Sequence, residues 1–264
     1  MLFQDRTRAE SFGADAERYD RARPTYPDEL LDLVLDGLGR DGPAEVLDVG
    51  CGTGIAGRLF IARGCRVLGV EPDARMAAVA RGHGLTVEDG TFETWDPGSR
   101  SFDVVISGQA WHWVDPVEGA ERAADVLRPG GRIALFWNVG RPPAEVTAAF
   151  AEVYDRYTGD LDKYSVLLGG PAVDRFEYAL KGIRVSGRFS NPVKRSIRWS
   201  RPYTTSEWLD QLPTHSDHQA LPLDRLELLM EGIGEVIDSL GGSFPMAYET
   251  AVISASRRTN PRRP

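Results

Sequence analysis

The residues best suited to chemistry lie where an apolar run, Val46–Val49, ends in a glycine-rich turn. Glycines alternate with other residues from Gly50 to Gly54, and glycine lets a backbone approach a ligand closely. Asp48 lies in the run that enters the turn, and Glu71 ends the next apolar run, 21 residues after Gly50. At that position a carboxylate can accept hydrogen bonds from both hydroxyls of a ribose. The spacing therefore predicts a site for a ligand that contains a nucleoside.

Two classes of ligand could use this arrangement. Dinucleotide-binding folds prefer the spacing G-x-G-x-x-G, which admits a pyrophosphate at the N-terminus of a helix. Here the spacing is G-x-G-x-G, and the carboxylate of Asp48 would repel a pyrophosphate but attract a cation. S-adenosylmethionine carries an ammonium and a sulfonium, so both the spacing and the charge favour it over NAD. A tight turn that binds nothing is the remaining alternative, and Asp48 and Glu71 together argue against it.

The turn is positioned by apolar runs that alternate with helical patterns. Predicted strands cover 46–49, 66–70, 85–88, 102–107 and 132–137, and predicted helices cover 27–39, 54–63, 73–81 and 117–127. This alternation indicates a parallel sheet with helices on both faces. The expected fold class is α/β, with a doubly wound, mostly parallel, seven-stranded Rossmann-like sheet. The carboxyl ends of its strands should face the ligand.

The alternation weakens after Asn138. Further helices are predicted at 144–157, 206–212 and 223–240, and further strands at 195–200 and 246–255. We expect a single domain with its core at 27–140 and about 221–256. A cap at about 141–220 would be inserted before the last strands, and the basic tail, 257–264, is expected to fray.

Six segments resemble the class I S-adenosylmethionine-dependent methyltransferases. Within them the chain is similar to the methyltransferase type 11 group and its trans-aconitate-methyltransferase-like members. The segments are FGADAERYDRARPTYP, LDVGCGTG, GVEPDARM, GTFETW, FDVVISGQAWHWVD and LRPGGRIALFWN, and they fall within residues 12–138. The resemblance implies S-adenosylmethionine as cofactor and methyl transfer as the reaction, without specifying the acceptor. It also implies that an N-terminal segment, 12–26, folds over the cofactor.

The resemblance assigns most of the cofactor site. Asp48 would act on the ammonium of the methionine part, Glu71 would hold the ribose, and Arg23 would bind the carboxylate with its guanidinium. For the adenine amine, Asp89 and Glu93 are both candidates. The other residues implied to line the cofactor are Gly50, Cys51, Gly52 and Gly54 at the methionine part, Pro72 and Met76 near the adenine, and Thr91, Phe92 and Gln109.

The acceptor side is expected just after the fourth strand. His112 is the candidate general base, because histidine titrates near neutral pH. The alternative is that His112 only bonds backbone. The residues expected to contact the acceptor are Tyr19, Tyr26, Trp111, Trp113 and Trp137. His215 and His218 have no further ligand nearby in the sequence, so no metal site is expected.

Composition narrows the function classes. The formal net charge of -8 argues against a broad phosphate-binding surface, so we expect a small-molecule acceptor and no nucleic acid. A nucleic-acid or protein methyltransferase, and a cofactor-binding homologue without activity, stay open as alternatives. No apolar run reaches the roughly 18 residues of a membrane span. The charged N-terminus and the two cysteines suit a cytoplasmic protein. No oligomeric state is predicted.

Overall fold

The computed structural model describes residues 10–39, 42–164, 167–168 and 175–259, and seven strands there form one mixed sheet. The strands are β1 (Glu45–Val49), β2 (Arg66–Glu71), β3 (Thr86–Asp89), β4 (Phe102–Gly108), β5 (Leu127–Arg141), β6 (Val193–Thr204) and β7 (Ser243–Ser256). The α-helices are α1 (Ala16–Ala22), α2 (Asp28–Leu35), α3 (Ile55–Ala62), α4 (Ala74–Gly82), α5 (Pro116–Val126), α6 (Ala144–Thr158), α7 (Arg175–Ser186), α8 (Thr205–Gln211), α9 (Ser216–Gln219) and α10 (Leu223–Ser239). Short 3₁₀ helices cover Glu10–Asp15, Trp111–Trp113, Leu161–Tyr164 and Leu212–Thr214. None of the helices in the described ranges is long and apolar enough to cross a membrane.

The sheet has the strand order β3–β2–β1–β4–β5–β7–β6. β1 to β5 pair in parallel, and β7 runs antiparallel to both β5 and β6. The chain builds outward from β1 to β3 and then places β4 on the other side of β1, so the order reverses between β1 and β4. Ligands of open α/β sheets bind at such a reversal, outside the carboxyl ends of the strands. The predicted α/β fold with a doubly wound, mostly parallel, seven-stranded sheet is confirmed.

Alternate residues of the central strands face opposite sides of the sheet. Val46 and Phe136 pack in the cluster that holds α2 and α3, whereas Leu47 and Leu135 pack in the cluster that holds α5 and α7. All four side chains are fully buried. Since burying a large apolar side chain contributes about 1.5–3 kcal/mol, helices on both faces stabilise the sheet and fix the positions of its strand ends.

The boundary predicted for the cap, about 141–220, differs from the structure. β6 lies inside that range, yet it pairs with β7 from Val193↔Ser254 to Thr204↔Ser243 and forms the edge of the sheet. The alternating pattern at 195–200 indicated a strand correctly. Its partner lies beyond α10 in the chain, and local patterns do not reveal pairing over such a distance.

The cap of the structure consists of α6, α8, α9 and α10 with the 3₁₀ helices Leu161–Tyr164 and Leu212–Thr214. α10 was predicted in the core, but it packs on α6, where a Cβ atom at Gly232 would lie 2.8 Å from Cγ1 of Val153. The buried side chains of the cap form one cluster with the ends of β6 and β7: Val146, Phe150, Val153, Tyr154, Tyr164, Tyr203, Trp208, Leu212, Leu229, Ile233, Ile237, Phe244, Met246 and Tyr248. The cap therefore rests on the end of the antiparallel strand pair.

The basic tail predicted at 257–264 is described only as far as residue 259. Within it, the Arg257 N–H donates to the Gly131 carbonyl at 2.7 Å, and the Arg258 N–H donates to the Arg188 carbonyl at 2.9 Å. These bonds hold the first tail residues against β5 and the segment that follows α7, in contrast to the expected fraying. Residues 260–264 lie outside the described part of the chain.

Candidate functional site

The glycine-rich turn joins β1 to α3 and is fixed against the end of β2. The backbone N–H groups of Gly50 and Cys51 donate to the Val70 carbonyl at 2.9 and 3.3 Å. Gly50 has a φ of 65°, and a Cβ atom on it would lie 2.6 Å from the Cβ of Ala110. Only glycine can adopt this positive φ and lie this close to Ala110 without strain. Because Gly50 has no side chain, the space above the strand ends stays open.

A cavity lies above the carboxyl ends of β1, β2 and β4, at the point where the strand order reverses. The predicted site residues that line it are Tyr19, Arg23, Tyr26, Asp48, Gly50, Cys51, Gly52, Glu71, Pro72, Met76, Thr91, Phe92, Glu93, Gln109 and Trp113. Gly54, Trp111, His112 and Trp137 were predicted as well, but they are not among the residues that line it. Gly54 instead forms the N-cap of α3 with a φ of 85°.

Several residues that line the same cavity were not predicted: Pro24, Val49, Thr53, Ile55, Ala56, Val70, Gly90, Gly108, Ala110 and Val114. Most of them flank a predicted residue, so their place beside a motif was the available signal. Thr53 stands out because its hydroxyl is buried and finds no hydrogen-bond partner in the described part of the chain. Its position inside the glycine-rich turn could have marked it as a ligand contact.

Asp48 is a buried carboxylate that lines the cavity. The residue is 1% exposed, and neither carboxylate oxygen has a hydrogen-bond partner among the described residues. Burial, with a smaller contribution from the charge on Glu71, raises the pKa of Asp48 to about 7, and the nearby backbone of Gly57 opposes this shift only in part. An isolated buried charge is costly, so this position calls for a cationic ligand group.

Glu71 is held at the end of β2 by two backbone groups. Its Oε2 accepts from the Gly52 N–H at 2.9 Å, and its Oε1 accepts from the Asp73 N–H at 3.0 Å. Burial raises the pKa of Glu71 to about 7. Each carboxylate oxygen has two lone pairs, so both can still accept a hydroxyl from a ligand.

Arg23 directly follows α1 and brings a positive charge to the cavity. Its Nη2 donates to the Thr214 carbonyl at 2.7 Å, and its guanidinium lies 4.9 Å from the centre of the Tyr19 ring. Its Nε is buried and has no hydrogen-bond partner within the described ranges. Arg23 and Asp48 thus offer a cationic donor and a carboxylate to one cavity, and such a pair complements a zwitterionic amino-acid group.

The structure distinguishes the two candidates for the adenine amine. Glu93 lines the cavity, and its Oε1 accepts from the Asp115 N–H at 3.1 Å. Asp89 does not line the cavity and pairs with Arg81 at 2.9 Å. Glu93 is therefore the acid that can reach a ligand.

Comparison with known sequences identifies the family of this chain. The family model of the methyltransferase domain matches residues 47–135, a range that contains the glycine-rich turn and Glu71. An uncharacterised methyltransferase of Geobacillus kaustophilus is 30% identical over 162 residues, which cover 58% of this chain and 74% of the relative. This chain belongs to the class I S-adenosylmethionine-dependent methyltransferases. An uncharacterised methyltransferase of Mycobacterium tuberculosis is 29% identical over 255 residues, which cover 93% of this chain and 95% of the relative.

The fold of the methyltransferase is also found among solved structures. A phosphoethanolamine N-methyltransferase of Haemonchus contortus, solved with S-adenosylhomocysteine, has a TM-score of 0.55 and 16% identity, and the match covers 97% of this chain and 59% of that one. This likeness concerns the fold; the cofactor, S-adenosylmethionine, follows from membership of the family. The narrower resemblance to trans-aconitate-methyltransferase-like proteins stays a prediction.

The predicted base of the methyltransferase, His112, is not among the residues that line the cavity. Its Nδ1 accepts from the Trp137 Nε1–H at 3.3 Å. An indole can only donate, so the neutral ring of His112 carries its proton on Nε2, and neither nitrogen offers a lone pair to an acceptor. The catalytic role of His112 stays a prediction, and this geometry does not favour it.

The three tryptophans predicted at the acceptor site have different surroundings. Trp111 and Trp137 are 2% and 0% exposed and belong to the cluster between the sheet and α5. Trp111 lies 6.1 Å from Phe92, measured between ring centres. Trp113 lines the cavity. Trp111 and Trp113 lie on one 3₁₀ helix, which directs the Trp111 ring into the core and the Trp113 ring to the cavity.

The histidines of the cap take part in internal hydrogen bonds. His218 is fully buried, with Nδ1 at 3.0 Å from Oδ1 of Asp217 and Nε2 at 2.8 Å from the hydroxyl of Tyr154. The described residues contain no group of three or more histidine, cysteine, aspartate or glutamate side chains that could hold a metal ion. The hydrogen bond between His218 and Tyr154 joins α9 to α6.

Proposed function

We propose that this methyltransferase transfers the methyl group of S-adenosylmethionine to a small-molecule acceptor. The observation that carries the proposal is that Tyr19, Arg23 and Tyr26, in and after α1, line the cavity while α1 is held by the cap. Arg23 is bonded to the cap through Thr214, and Arg18 and Arg21 of α1 both bind Asp210 of α8. A cavity lined by a segment that is fixed in this way suits an acceptor small enough to enter it.

The cavity fits the cofactor group by group. Asp48 would take the ammonium, and the unpaired Nε of Arg23 would take the carboxylate of the methionine part. Glu71 would accept the ribose hydroxyls, and Glu93 would accept from the adenine amine. The assignments of Asp48 and Arg23 are supported by buried polar atoms that lack partners in the described chain, because the cofactor would supply those partners. The assignments of Glu71 and Glu93 are supported by their place in the lining of the same cavity.

In methyl transfer, the main task of the protein is to align the acceptor with the methyl group of the cofactor. The cofactor supplies a methyl group that its sulfonium has already activated for an in-line displacement. The walls of the cavity align the acceptor and exclude water. Tyr19, Tyr26, Gln109 and Trp113 line the cavity and are our candidates for acceptor contacts. If the acceptor atom is already ionised, no protein base is needed.

A macromolecular acceptor is less well supported. The net charge of -8 is unfavourable for a surface that must hold a nucleic acid. A protein or RNA substrate would also have to pass the contacts between α1 and the cap, which join residues about 190 positions apart in the chain.

The proposal is tested with S-adenosylmethionine labelled with tritium in its methyl group. A cell extract is split by ultrafiltration into a small-molecule fraction and a macromolecular fraction, and each is incubated with the enzyme. We expect label to enter a product of the small-molecule fraction, and none to be transferred by the variant Glu71→Ala. Label confined to protein or RNA would contradict the proposal.

A further inference from the structure

α1 lies between the helices of the core and the cap, and it is joined to each of them by ion pairs that centre on one carboxylate. On the core side, Asp20 of α1 accepts from Arg58 of α3 at 2.7 and 3.1 Å. The same carboxylate lies 2.9 Å from Nε2 of His83, at the end of α4. The Asp20 side chain is 12% exposed. These contacts join α1 to the helices that flank the glycine-rich turn.

On the cap side, the partner of α1 is Asp210 of α8. It accepts from Nε of Arg18 at 2.9 Å and from both Nε and Nη2 of Arg21 at 2.7 and 2.9 Å. Arg18 and Arg21 are three residues apart, so they lie on one face of the helix. Hydrogen bonds from Arg21 and Arg18 lower the pKa of Asp210 to about 2, and the carboxylate is therefore charged at physiological pH.

The chain after α8 also reaches Arg23. The 3₁₀ helix Leu212–Thr214 follows α8 directly, and its Thr214 carbonyl accepts from Nη2 of Arg23. Thr214 is 2% exposed, and its hydroxyl donates to the Gln211 carbonyl at 2.6 Å. One short stretch of the cap therefore binds α1 through two of its arginines and binds the arginine that follows α1.

We propose that Asp210 is a positioning residue of the cofactor site, acting through Arg18 and Arg21 to hold Arg23 where it binds the methionine carboxylate. This inference rests on the assignment of Arg23 in the proposed function. When the ion pairs of Asp210 are lost, α1 is docked for a smaller fraction of the time. Affinity falls in proportion to that fraction, and only for ligands that use Arg23.

The test compares two ligands that differ in the amino-acid part. S-adenosylhomocysteine carries it, and 5′-methylthioadenosine has the same nucleoside without it. In Asp210→Asn we expect calorimetry to give a dissociation constant for S-adenosylhomocysteine that is about three- to tenfold higher. The constant for 5′-methylthioadenosine should not change. Glu227→Gln, which removes a carboxylate from an exposed position of α10, is the matched control and should alter neither constant.

A double-mutant cycle separates positioning from general stability. In an Arg23→Ala background, where binding of S-adenosylhomocysteine is already weakened, Asp210→Asn should cause no further loss. Equal weakening of both ligands, or effects of Asp210→Asn and Arg23→Ala that simply add, would overturn the inference. So would an unchanged constant in Asp210→Asn. If Arg23→Ala itself leaves binding unchanged, the assignment of Arg23 fails instead.

A second variant covers the case in which Asp210→Asn does not fold. Arg21→Gln removes the bidentate partner of Asp210 at a side chain that is 60% exposed. Arg21→Gln should weaken the binding of S-adenosylhomocysteine and leave that of 5′-methylthioadenosine unchanged. If the variant binds both ligands as wild type does, or weakens both equally, the inference is contradicted.

Discussion

Asp48→Asn should stabilise the free enzyme while it weakens cofactor binding. The wild-type carboxylate is buried, and the backbone of Gly57 offsets only part of the cost of burial, so the ionised form is unfavourable until a cation binds beside it. Asparagine has nearly the same shape but no charge. The substitution therefore removes a cost from the free protein and an attraction from the complex.

The magnitude follows from the pKa of Asp48. Burial raises that pKa from its ordinary 3.8 to about 7, so the folded protein prefers the protonated form. The cost of ionisation is absent below pH 3.8, grows as the pH rises, and is complete above pH 7. It reaches about 2 kcal/mol at pH 5 and about 4 kcal/mol at pH 8, and Asp48→Asn should recover these amounts in the free energy of unfolding.

The assay is urea denaturation of wild type and Asp48→Asn at pH 5 and pH 8, with and without S-adenosylhomocysteine. We expect the variant to be more stable at both pH values without ligand, with the larger difference at pH 8. The added stability from S-adenosylhomocysteine should be smaller in the variant. A variant that is less stable than wild type at pH 8, or a difference that does not change with pH, would refute this account of Asp48.

Three further predictions concern the rest of the site. Gly50→Ala should destabilise the protein by about 1–3 kcal/mol in thermal unfolding, because it combines a positive φ with a clash against Ala110. Gly130→Ala, with a φ of 79° and no neighbour within 4 Å, is its control, and equal losses would count against the clash. His112→Gln should leave the dissociation constant of S-adenosylhomocysteine unchanged, and a calorimetric loss would show that this side chain reaches the cofactor. Raising the salt concentration should weaken binding of S-adenosylhomocysteine more than that of 5′-methylthioadenosine, because partly exposed ion pairs hold α1. Equal salt dependence of the two constants would contradict that reasoning.

The parts of the site that could be predicted depend on neighbours in the chain. The glycine-rich turn, Asp48 and Glu71 lie at the ends of β1 and β2, whose apolar runs are continuous in the sequence. The parallel order of such strands brings their carboxyl ends to one edge. For the same reason Gln109 and Trp113, just after β4, could be placed at the cavity.

The parts that could not be predicted depend on contacts between distant residues. The pairing of β6 with β7 and the bonds of α1 to Asp210 join stretches that no local pattern connects. His112 shows a different limit. Its residue type suited a base, but the 3₁₀ helix that carries it turns its Nδ1 towards Trp137.

The central claim is that the cavity above β1, β2 and β4 binds S-adenosylmethionine through Glu71. Calorimetric titration of wild type and Glu71→Ala with S-adenosylhomocysteine tests it most directly, with circular dichroism to show that both are folded. The account predicts one ligand per chain for wild type and a large loss of affinity in the variant, since two ribose hydrogen bonds to a carboxylate disappear. A folded wild type that binds no S-adenosylhomocysteine at millimolar concentration, or a variant that binds it equally well, would contradict the account.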